Sequence, residues 1–220
     1  MPSRTMTMAN SNSVYRISVG DLGTNCWIVP QNGGECLVLD PGAEGEKILA
    51  RLAELQLRPR YIIITHAHLD HIAALPELAA AWPGADIAVH PAEAAKLGPR
   101  SLEAHCEDFR DVGAVAYVEA MWKPLPEASL LLNEGDSLGP FCVLHVPGHS
   151  SGSIALHWEE QKILFSGDTL FNAGVGRTDL YGGDLELLDK SLSRLFTLPE
   201  DTEVYPGHGP KTTIGREKHR

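Results

Sequence analysis

Long hydrophobic segments and basic residues are both scarce in this sequence of 220 residues. No apolar run approaches the roughly 18 residues that a membrane-spanning helix requires. The chain has 18 Lys and Arg residues against 29 Asp and Glu residues, which gives a formal net charge of -11. Binding to duplex nucleic acid requires a concentrated basic patch, and the sequence contains none. We therefore exclude an integral membrane protein and expect no nucleic-acid partner.

The N-terminal segment also lacks the apolar stretch of about 7–15 residues that a secretory signal needs. We predict a disordered tail over residues 1–13, followed by a single domain over residues 14–220. Cysteine is rare as well, and no Cys-x-x-Cys pair occurs. Scattered cysteines in apolar surroundings predict buried, reduced thiols in a cytoplasmic protein rather than a disulfide framework. These residues are Cys26, Cys36, Cys106 and Cys142.

Short apolar runs alternate with amphipathic segments along most of the chain. The run of β-branched residues at 61–65 predicts a strand that is buried on both faces. Apolar residues at helical spacing predict helices over 44–57 and 72–82, and Asp184 can cap a further one. Residues 100–118 give no clear pattern, and the charged end at 217–220 is expected to fray. Because strands outnumber helices and the two are interleaved, we expect a layered α/β sandwich.

Histidine is unusually abundant, with ten residues, and one segment concentrates it. Residues 65–71 read Thr-His-Ala-His-Leu-Asp-His and directly follow the buried strand. Residues two apart leave a strand end on the same side, so His66 and His68 can converge on one ion. Asp70 and His71 begin the next turn and can face a second ion. Imidazole and carboxylate groups are the ligands that suit zinc and related divalent metals.

Three further candidates follow other predicted strands, each beside a glycine. They are His149, Asp168 and His208. The carboxyl ends of strands are where an α/β sheet opens its functional crevice, and glycine allows the tight turn needed there. Together with the first segment they provide seven ligands, enough for two metal positions. With these positions filled, His90, His105 and His157 are predicted to be structural or exposed to solvent.

Four motifs make the chain resemble the metallo-β-lactamase superfamily. They are THAHLDH at 65–71, PGHSSGS at 147–153, SGDTLF at 166–171 and PGHG at 206–209. The resemblance implies an α/β fold, the αββα four-layer sandwich of two mixed β-sheets flanked by helices. It also implies a ligand assignment: one metal is held by His66, His68 and His149, the second by Asp70, His71 and His208, with Asp168 bridging.

Within that superfamily the chain is similar to the glyoxalase II group, the hydroxyacylglutathione hydrolases, without their C-terminal helical domain. This similarity implies hydrolysis of a small anionic acyl thioester, or an ester, by a hydroxide that bridges two metal ions. Zinc is the expected metal, although iron or manganese suits the same ligands. Asp70 would be catalytic, as both ligand and orienter of the hydroxide. We expect Arg177, Tyr181 and Asn172 to bind substrate, although Arg177 could instead form an ion pair with Asp179 or Asp184.

Two other enzyme classes remain as alternatives. The loop at 176–179 also resembles that of persulfide dioxygenases, which hold a single iron with two histidines and an aspartate, here His66, His149 and Asp168. Residues 148–152 match the Gly-x-Ser-x-Gly pattern of serine esterases. That pattern requires a helix after the serine, whereas residues 153–158 predict a strand, so the serine esterase is disfavoured.

Overall fold

Two mixed β-sheets form the centre of the protein, in a computed structural model that describes residues 13–220. The tail predicted for residues 1–13 therefore lies outside the described residues, apart from Ser13. The first sheet has the strand order β1-β2-β3-β4-β5-β6. Its first three strands are antiparallel, and β3, β4, β5 and β6 run parallel to one another. The strands are Tyr15–Val19 (β1), Thr24–Pro30 (β2), Glu35–Leu39 (β3), Arg58–Ile63 (β4), Asp86–Val89 (β5) and Leu130–Leu131 (β6).

The second sheet has the order β14-β13-β10-β9-β8-β7. Only the pairing of β10 with β13 is parallel among its described neighbours. A separate antiparallel pair, β11 with β12, follows β10. These strands are Ser137–Leu138 (β7), Phe141–His145 (β8), Ile154–Trp158 (β9), Ile163–Gly167 (β10), Leu170–Phe171 (β11), Gly174–Val175 (β12), Glu203–Pro206 (β13) and Thr212–Thr213 (β14).

Helices cover the outer faces of both sheets. None of them, within residues 13–220, is both long enough and apolar enough to cross a membrane. The helices are Gly45–Leu55 (α1), Leu69–Ile72 (α2), Leu75–Ala81 (α3), Leu102–Asp108 (α4), Val115–Met121 (α5), Leu185–Leu195 (α6) and Ile214–Lys218 (α7), and short 3-10 turns lie at Asn32–Gly34 and Pro91–Lys96.

Three hydrophobic clusters separate four layers. Alternate residues of a strand face opposite sides of its sheet, so Val38 packs toward α1 and α3 whereas Leu39 packs toward the second sheet. The middle cluster lies between the sheets and contains Trp27, Phe141 and Phe165. The third cluster packs Leu188 and its neighbours on α6 against the second sheet. The order helix, sheet, sheet, helix confirms the predicted αββα sandwich.

Several local predictions need correction. The helix predicted over 72–82 is two helices, because Pro76 stands in the first turn of α3 and the chain is already helical from Leu69. The strand predicted over 61–65 is Arg58–Ile63, since the backbone N–H of Thr65 donates to the Asp40 side chain instead. The unclear stretch 100–118 contains α4 and the start of α5.

The charged end is ordered rather than frayed. Glu217 lies in α7 with only 8% of its surface exposed. Its carboxylate accepts hydrogen bonds from the Thr212 hydroxyl and from the backbone N–H of Ala173. The prediction of fraying at 217–220 was therefore wrong for Glu217, because a buried carboxylate with two donors holds the last helix against the loop between β11 and β12.

The prediction of buried thiols holds for Cys26 and Cys36, whereas Cys106 and Cys142 are only half-buried. All four are free, with Cys26 and Cys36 fully buried in the first sheet. Burial raises the pKa of Cys36 to about 12, and it raises the pKa of Cys26 as well. Thiols held in the neutral form are poor nucleophiles and poor metal ligands, so these two residues act as small apolar side chains in the core.

Candidate active site

The first group of predicted ligands lies at the carboxyl end of β4. His66 and His68 lie in the loop that follows the strand, and Asp70 and His71 lie in α2. All three histidines are almost completely buried, whereas the Asp70 side chain is 26% exposed. A buried strand that ends in a short loop and an immediate helix therefore presents four polar side chains to one side.

The second group comes from three strands of the other sheet. His149 follows β8, Asp168 follows β10 and His208 follows β13. Because β9 is antiparallel to both β8 and β10, and β13 is parallel to β10, these three strands end at the same edge. The two sheets are joined beside His208. There the backbone N–H of Asn25 in β2 donates to the carbonyl of Gly207, which follows β13, over 2.7 Å.

Two glycines let the backbone approach these side chains closely. A Cβ atom on Gly207 would lie 2.0 Å from Oδ1 of Asp168. One on Gly42 would lie 1.7 Å from the backbone carbonyl of Asp70. No real side chain tolerates such distances, so these positions require glycine for steric reasons.

The seven predicted ligands converge. Nε2 of His149 lies 3.1 Å from Nε2 of His66 and 3.0 Å from Nδ1 of His68. Nε2 of His71 lies 3.3 Å from Nε2 of His208. Three sets of residues each have ligand atoms that lie within 4.8 Å of one another. The sets are His66, His68 and His149; His66, His71 and Asp168; and Asp70, His71 and His208.

The Asp168 carboxylate lies near histidines of both candidate metal positions. Its Oδ1 is 3.4 Å from Nε2 of His71, and its Oδ2 is 3.8 Å from Nε2 of His149 and 3.5 Å from Nε2 of His208. Its Oδ1 is buried and accepts no hydrogen bond from the described part of the chain. A buried carboxylate oxygen without a donor carries a large desolvation cost unless another positive group satisfies it.

The ring orientations fit a metal centre. Nδ1 of His149 donates to the carbonyl of Arg177, and Nδ1 of His208 donates to the carbonyl of Leu22. Nδ1 of His71 faces the Asp40 carboxylate at 3.1 Å. The contacts of His149 and His208 fix the hydrogen on Nδ1 and leave the Nε2 lone pair directed into the cluster, as in metal-binding histidines. Zinc–nitrogen bonds of about 2.0–2.1 Å at tetrahedral angles place ligand atoms about 3.3 Å apart, close to the spacings above.

The pKa values of the histidines differ between the two candidate metal positions. Burial and neighbouring imidazoles lower the pKa of His66 and His68, and burial lowers that of His149. These three rings are therefore neutral at neutral pH, which is the form that binds metals. At His71, burial acts to lower the pKa, but Asp168, Asp70 and Asp40 outweigh it and raise the pKa. Burial would raise the pKa of Asp70, but His71 and His208 reverse the effect and lower it.

Asp40 supports one histidine of each candidate metal position, His66 and His71, and was missed in the sequence. It directly follows β3, is 1% exposed and adopts a positive φ of 49°. Its Oδ2 accepts from the Thr65 hydroxyl at 2.7 Å, and the same hydroxyl lies 3.2 Å from Nδ1 of His66. The signal available was its own position at a strand end before Pro41 and Gly42, the kind of place that marked His149, Asp168 and His208.

Glu93 is a second supporting residue that sequence reasoning missed. Its Oε2 accepts from the backbone N–H of Ala67, between His66 and His68, and its Oε1 accepts from the N–H of Gly152. The carboxylate is fully buried and pairs with Lys96 at 3.2 Å. Glu93 thus ties the loop after β4 to the loop that carries His149. Nothing in the sequence of a short, Ala-rich turn distinguished this glutamate.

The three residues expected to bind substrate each have a different environment in the structure. The Arg177 guanidinium forms two hydrogen bonds to Asp179, of 2.6 and 2.7 Å, so the ion-pair alternative is present in the structure. Asn172 donates to the carbonyl of Lys211 over 3.1 Å. Tyr181 is 60% exposed and lines a cavity with Lys96 and other residues of the 3-10 turn and α4.

Ser150, at the centre of the Gly-x-Ser-x-Gly pattern, lacks the geometry of a nucleophile. The residue is fully buried, and its hydroxyl is hydrogen-bonded to the Ser153 hydroxyl at 2.9 Å. The chain continues into strand β9 rather than into a helix. A nucleophile elbow needs an exposed hydroxyl between a strand and a helix, so the serine esterase alternative does not match this fold.

Comparisons with known proteins agree with this geometry. A family model described as the metallo-beta-lactamase superfamily matches residues 19–208. A probable metallo-hydrolase of Bacillus subtilis, YqgX, is 39% identical over 211 residues, which cover 92% of this chain and 93% of that protein. The hydroxyacylglutathione hydrolase GloC of Haemophilus influenzae is 35% identical over 195 residues, covering 88% of this chain and 89% of that protein.

Solved structures give the same picture. TTHA1623 in a di-iron-bound form is 38% identical, with a TM-score of 0.79 over 93% of this chain and 96% of that one. The B3 metallo-beta-lactamase BLEG-1 is 34% identical, with a TM-score of 0.81 over 94% and 97% of the two chains. ETHE1 from Myxococcus xanthus is 27% identical, with a TM-score of 0.72 over 94% and 81%.

Proposed function

Because the chain belongs to the metallo-beta-lactamase superfamily, we propose that it is a metal-dependent hydrolase of acyl thioesters. The observation that carries this proposal is the convergence of seven imidazole and carboxylate side chains in two groups that share Asp168. Such a donor set suits two divalent cations. Zinc is our proposed metal, while the di-iron form of TTHA1623 makes iron the first one to compare.

The proposed hydrolysis needs metal ions that activate the carbonyl and the water, and a side chain that orients the water. When bound, two divalent cations would polarise the scissile carbonyl and lower the pKa of water into the neutral range. The Asp70 carboxylate is held by the Thr24 hydroxyl at 3.0 Å and by His208 at 3.2 Å. Its partial exposure lets it accept a hydrogen from the attacking water and orient that water toward the carbonyl. Asp70 is therefore our proposed catalytic residue.

The leaving group decides between a thioester and a less reactive substrate. A thiol has a pKa of about 8–9, so a thiolate departs at neutral pH without a strong proton donor. Outside the cluster, Nδ1 of His149 and of His208 donates to a backbone carbonyl, and Nδ1 of His71 faces the Asp40 carboxylate. They are poorly placed to protonate an alkoxide or an amine. The similarity to GloC, named a hydroxyacylglutathione hydrolase, supports the same substrate class.

The direct test is hydrolysis of S-D-lactoylglutathione and of simple acyl thioesters by zinc-loaded protein. We expect turnover that is lost after chelation and restored by adding zinc. Asp70→Asn should lower kcat by about 10²-fold or more while leaving the thermal unfolding of the metal-free protein nearly unchanged. Full activity of the metal-free protein would refute the proposal.

A persulfide dioxygenase is the second candidate, favoured by the structural likeness to ETHE1 and the loop at 176–179. That chemistry would need one iron held by His66, His149 and Asp168. Asp70 and His208 would then be dispensable for metal binding. Oxygen consumption with a persulfide, retained in His208→Ala together with a single bound iron, would support the dioxygenase. Loss of thioester hydrolysis in His208→Ala supports the hydrolase.

A further inference from the structure

An apolar cavity opens directly beside Asp70. Its volume is about 290 Å³. Four segments form its walls: the turn between β1 and β2, the loop between β3 and α1, helix α2, and the residues around α4 and α5. The lining includes Leu22, Leu69, Ala73, Phe109 and Tyr117, and Thr24 and Asp70 form the side that borders the candidate metal centre.

The charges around this cavity disfavour an anionic group. The ionisable residues of its lining are Asp21, Asp70 and Tyr117, and neither lysine nor arginine is among them. A carboxylate in this cavity would lose its hydration and meet the Asp21 carboxylate, and no lysine or arginine of the lining would compensate its charge. An uncharged apolar group would instead replace water against leucine, alanine and aromatic surfaces.

Two residues of the cavity lining, Leu22 and Tyr117, expose apolar surface to water, and a bound apolar group would cover that surface. Leu22 is 66% exposed at the turn between β1 and β2, and Tyr117 is 56% exposed on α5. The backbone carbonyl of Leu22 accepts from Nδ1 of His208 at 3.1 Å. The turn that carries this leucine is therefore fixed to a candidate metal ligand, so Leu22 is held at a set distance from the reacting centre.

Arg177 belongs to the other side of the centre. Its carbonyl is bound by His149, whereas the apolar cavity borders Asp70 and the turn fixed by His208. An elongated substrate whose reactive carbonyl lies over the centre can thus place one end toward each side. The cavity side accepts only the uncharged end.

We propose that this cavity binds an uncharged apolar group, aliphatic or aromatic, attached next to the scissile thioester bond. This inference rests on the proposed function and specifies its substrate class. An apolar cavity of about 150 Å³ holds one benzene molecule, so this cavity has room for a phenyl group with a short linker. The preferred substrates are therefore bulky apolar thioesters, and a small hydroxyacyl group such as lactoyl would leave the cavity largely empty.

The test uses two matched series of thioesters with the zinc-loaded protein. One series lengthens the acyl group from acetyl to butanoyl, hexanoyl and phenylacetyl on a constant thiol. The other keeps acetyl and lengthens the thiol from methyl to butyl, hexyl and benzyl. We expect kcat/KM to rise by about fourfold per buried methylene in one series, which identifies whether the acyl or the thiol end occupies the cavity.

Variants locate the effect. Leu22→Ser removes apolar surface at the rim, and Ala73→Phe fills the cavity. Both variants should reduce the increase of kcat/KM with chain length. Their metal content is measured to confirm that Asp70 and His71 of α2 still bind metal. Leu131→Ser is the matched control, because Leu131 is 47% exposed on strand β6 and does not line the cavity. It should keep the wild-type dependence.

A binding measurement separates failure of this inference from failure of the proposed function. Saturation-transfer NMR with 4-phenylbutan-1-ol, which is uncharged and not hydrolysable, should show contact with wild type and with Leu131→Ser but not with Ala73→Phe. Binding without hydrolysis of any thioester would refute the proposed function and leave the apolar site standing. Hydrolysis with no chain-length dependence in either series, or a dependence that Ala73→Phe retains, would overturn the inference.

Discussion

Oδ2 of Asp40 lies 3.1 Å from Nδ1 of His71, with both side chains almost completely buried. The same oxygen accepts from the Thr65 hydroxyl, which contacts the His66 ring. One carboxylate therefore orients a histidine of each candidate metal position. Carboxylates behind metal-binding histidines fix the ring and raise its basicity, and their loss typically costs 10–100-fold in metal affinity.

Asp40→Asn should accordingly weaken metal binding by about 10–100-fold. An amide removes the negative charge that holds the hydrogen on Nδ1 of His71, while it nearly preserves the volume of the side chain. Competition with a chromophoric chelator measures the affinity. Asp86→Asn is the control, since Asp86 forms a partly exposed ion pair with Arg60 and contacts no candidate ligand. Equal affinities for Asp40→Asn and wild type would show that Asp40 has no such role.

Alanine substitutions should separate ligands from other histidines. His149→Ala removes an Nε2 that lies about 3 Å from two other imidazole nitrogens. We expect it to lower the bound metal by at least one equivalent and to reduce hydrolysis to background. His157→Ala, on β9 and half-buried, should retain full metal content by elemental analysis. An emptied site in His157→Ala would contradict the ligand assignment.

Asp108 predicts a pH dependence of stability that is independent of the metals. Burial raises the pKa of its carboxyl to about 6, although Lys96 lies 2.9 Å away, because Lys96 is shared with Glu93. The unfolded pKa is about 3.9, so between about pH 4 and 6 the folded state holds more protons than the unfolded state. This contribution is fully present below about pH 4 and is lost as the pH rises through 6.

The free energy of unfolding of wild type should therefore fall, relative to Asp108→Asn, by about 2 kcal/mol between pH 4 and pH 6. Urea denaturation of the metal-free proteins at several pH values measures the difference. Asp111→Asn, exposed a few residues away, should run parallel to wild type. A constant gap between wild type and Asp108→Asn would mean that Asp108 titrates normally.

Arg177 offers a clean distinction between recognition and structure. Its ion pair with Asp179 is largely exposed, and exposed ion pairs stabilise proteins little. Arg177→Met should leave the melting temperature nearly unchanged. If the guanidinium leaves Asp179 for a substrate carboxylate, the variant raises KM for an anionic thioester while sparing a neutral ester. Equal losses on both substrates, or a melting temperature lower by several degrees, would assign Arg177 to structure.

The candidate ligands could be predicted because their chemistry is local in sequence. His66, His68 and Asp70 lie within one short segment, and Asp168 and His208 each stand beside glycine after an apolar strand. Hydrophobic periodicity likewise predicted the long helices, such as α6. The Asp184 side chain caps this helix, as predicted, by accepting from the backbone N–H of Leu187.

The supporting residues could not be predicted in the same way. Glu93 acts through backbone N–H groups of Ala67 and Gly152, which are 26 and 59 residues away in sequence. Such contacts depend on which loops meet in the folded chain and leave no residue-type signal. Helices α4 and α5 have seven residues each and no side-chain cap, so neither propensity nor capping marked them. The buried Glu217 shows the same limitation, since its donors lie in strand β14 and in the loop between β11 and β12.

The origin of the ligands in two different sheets has a consequence for how the protein is made. Ribosomal synthesis delivers the N-terminal half first, and domains fold as their segments emerge. The segment with His66, His68, Asp70 and His71 appears early, but His149, Asp168 and His208 follow strands of the second sheet. A nascent chain therefore completes the set of His66, His68 and His149 only after β8, and the set of Asp70, His71 and His208 only after β13. Binding of both metals would accordingly require that the strands of both sheets have formed and docked.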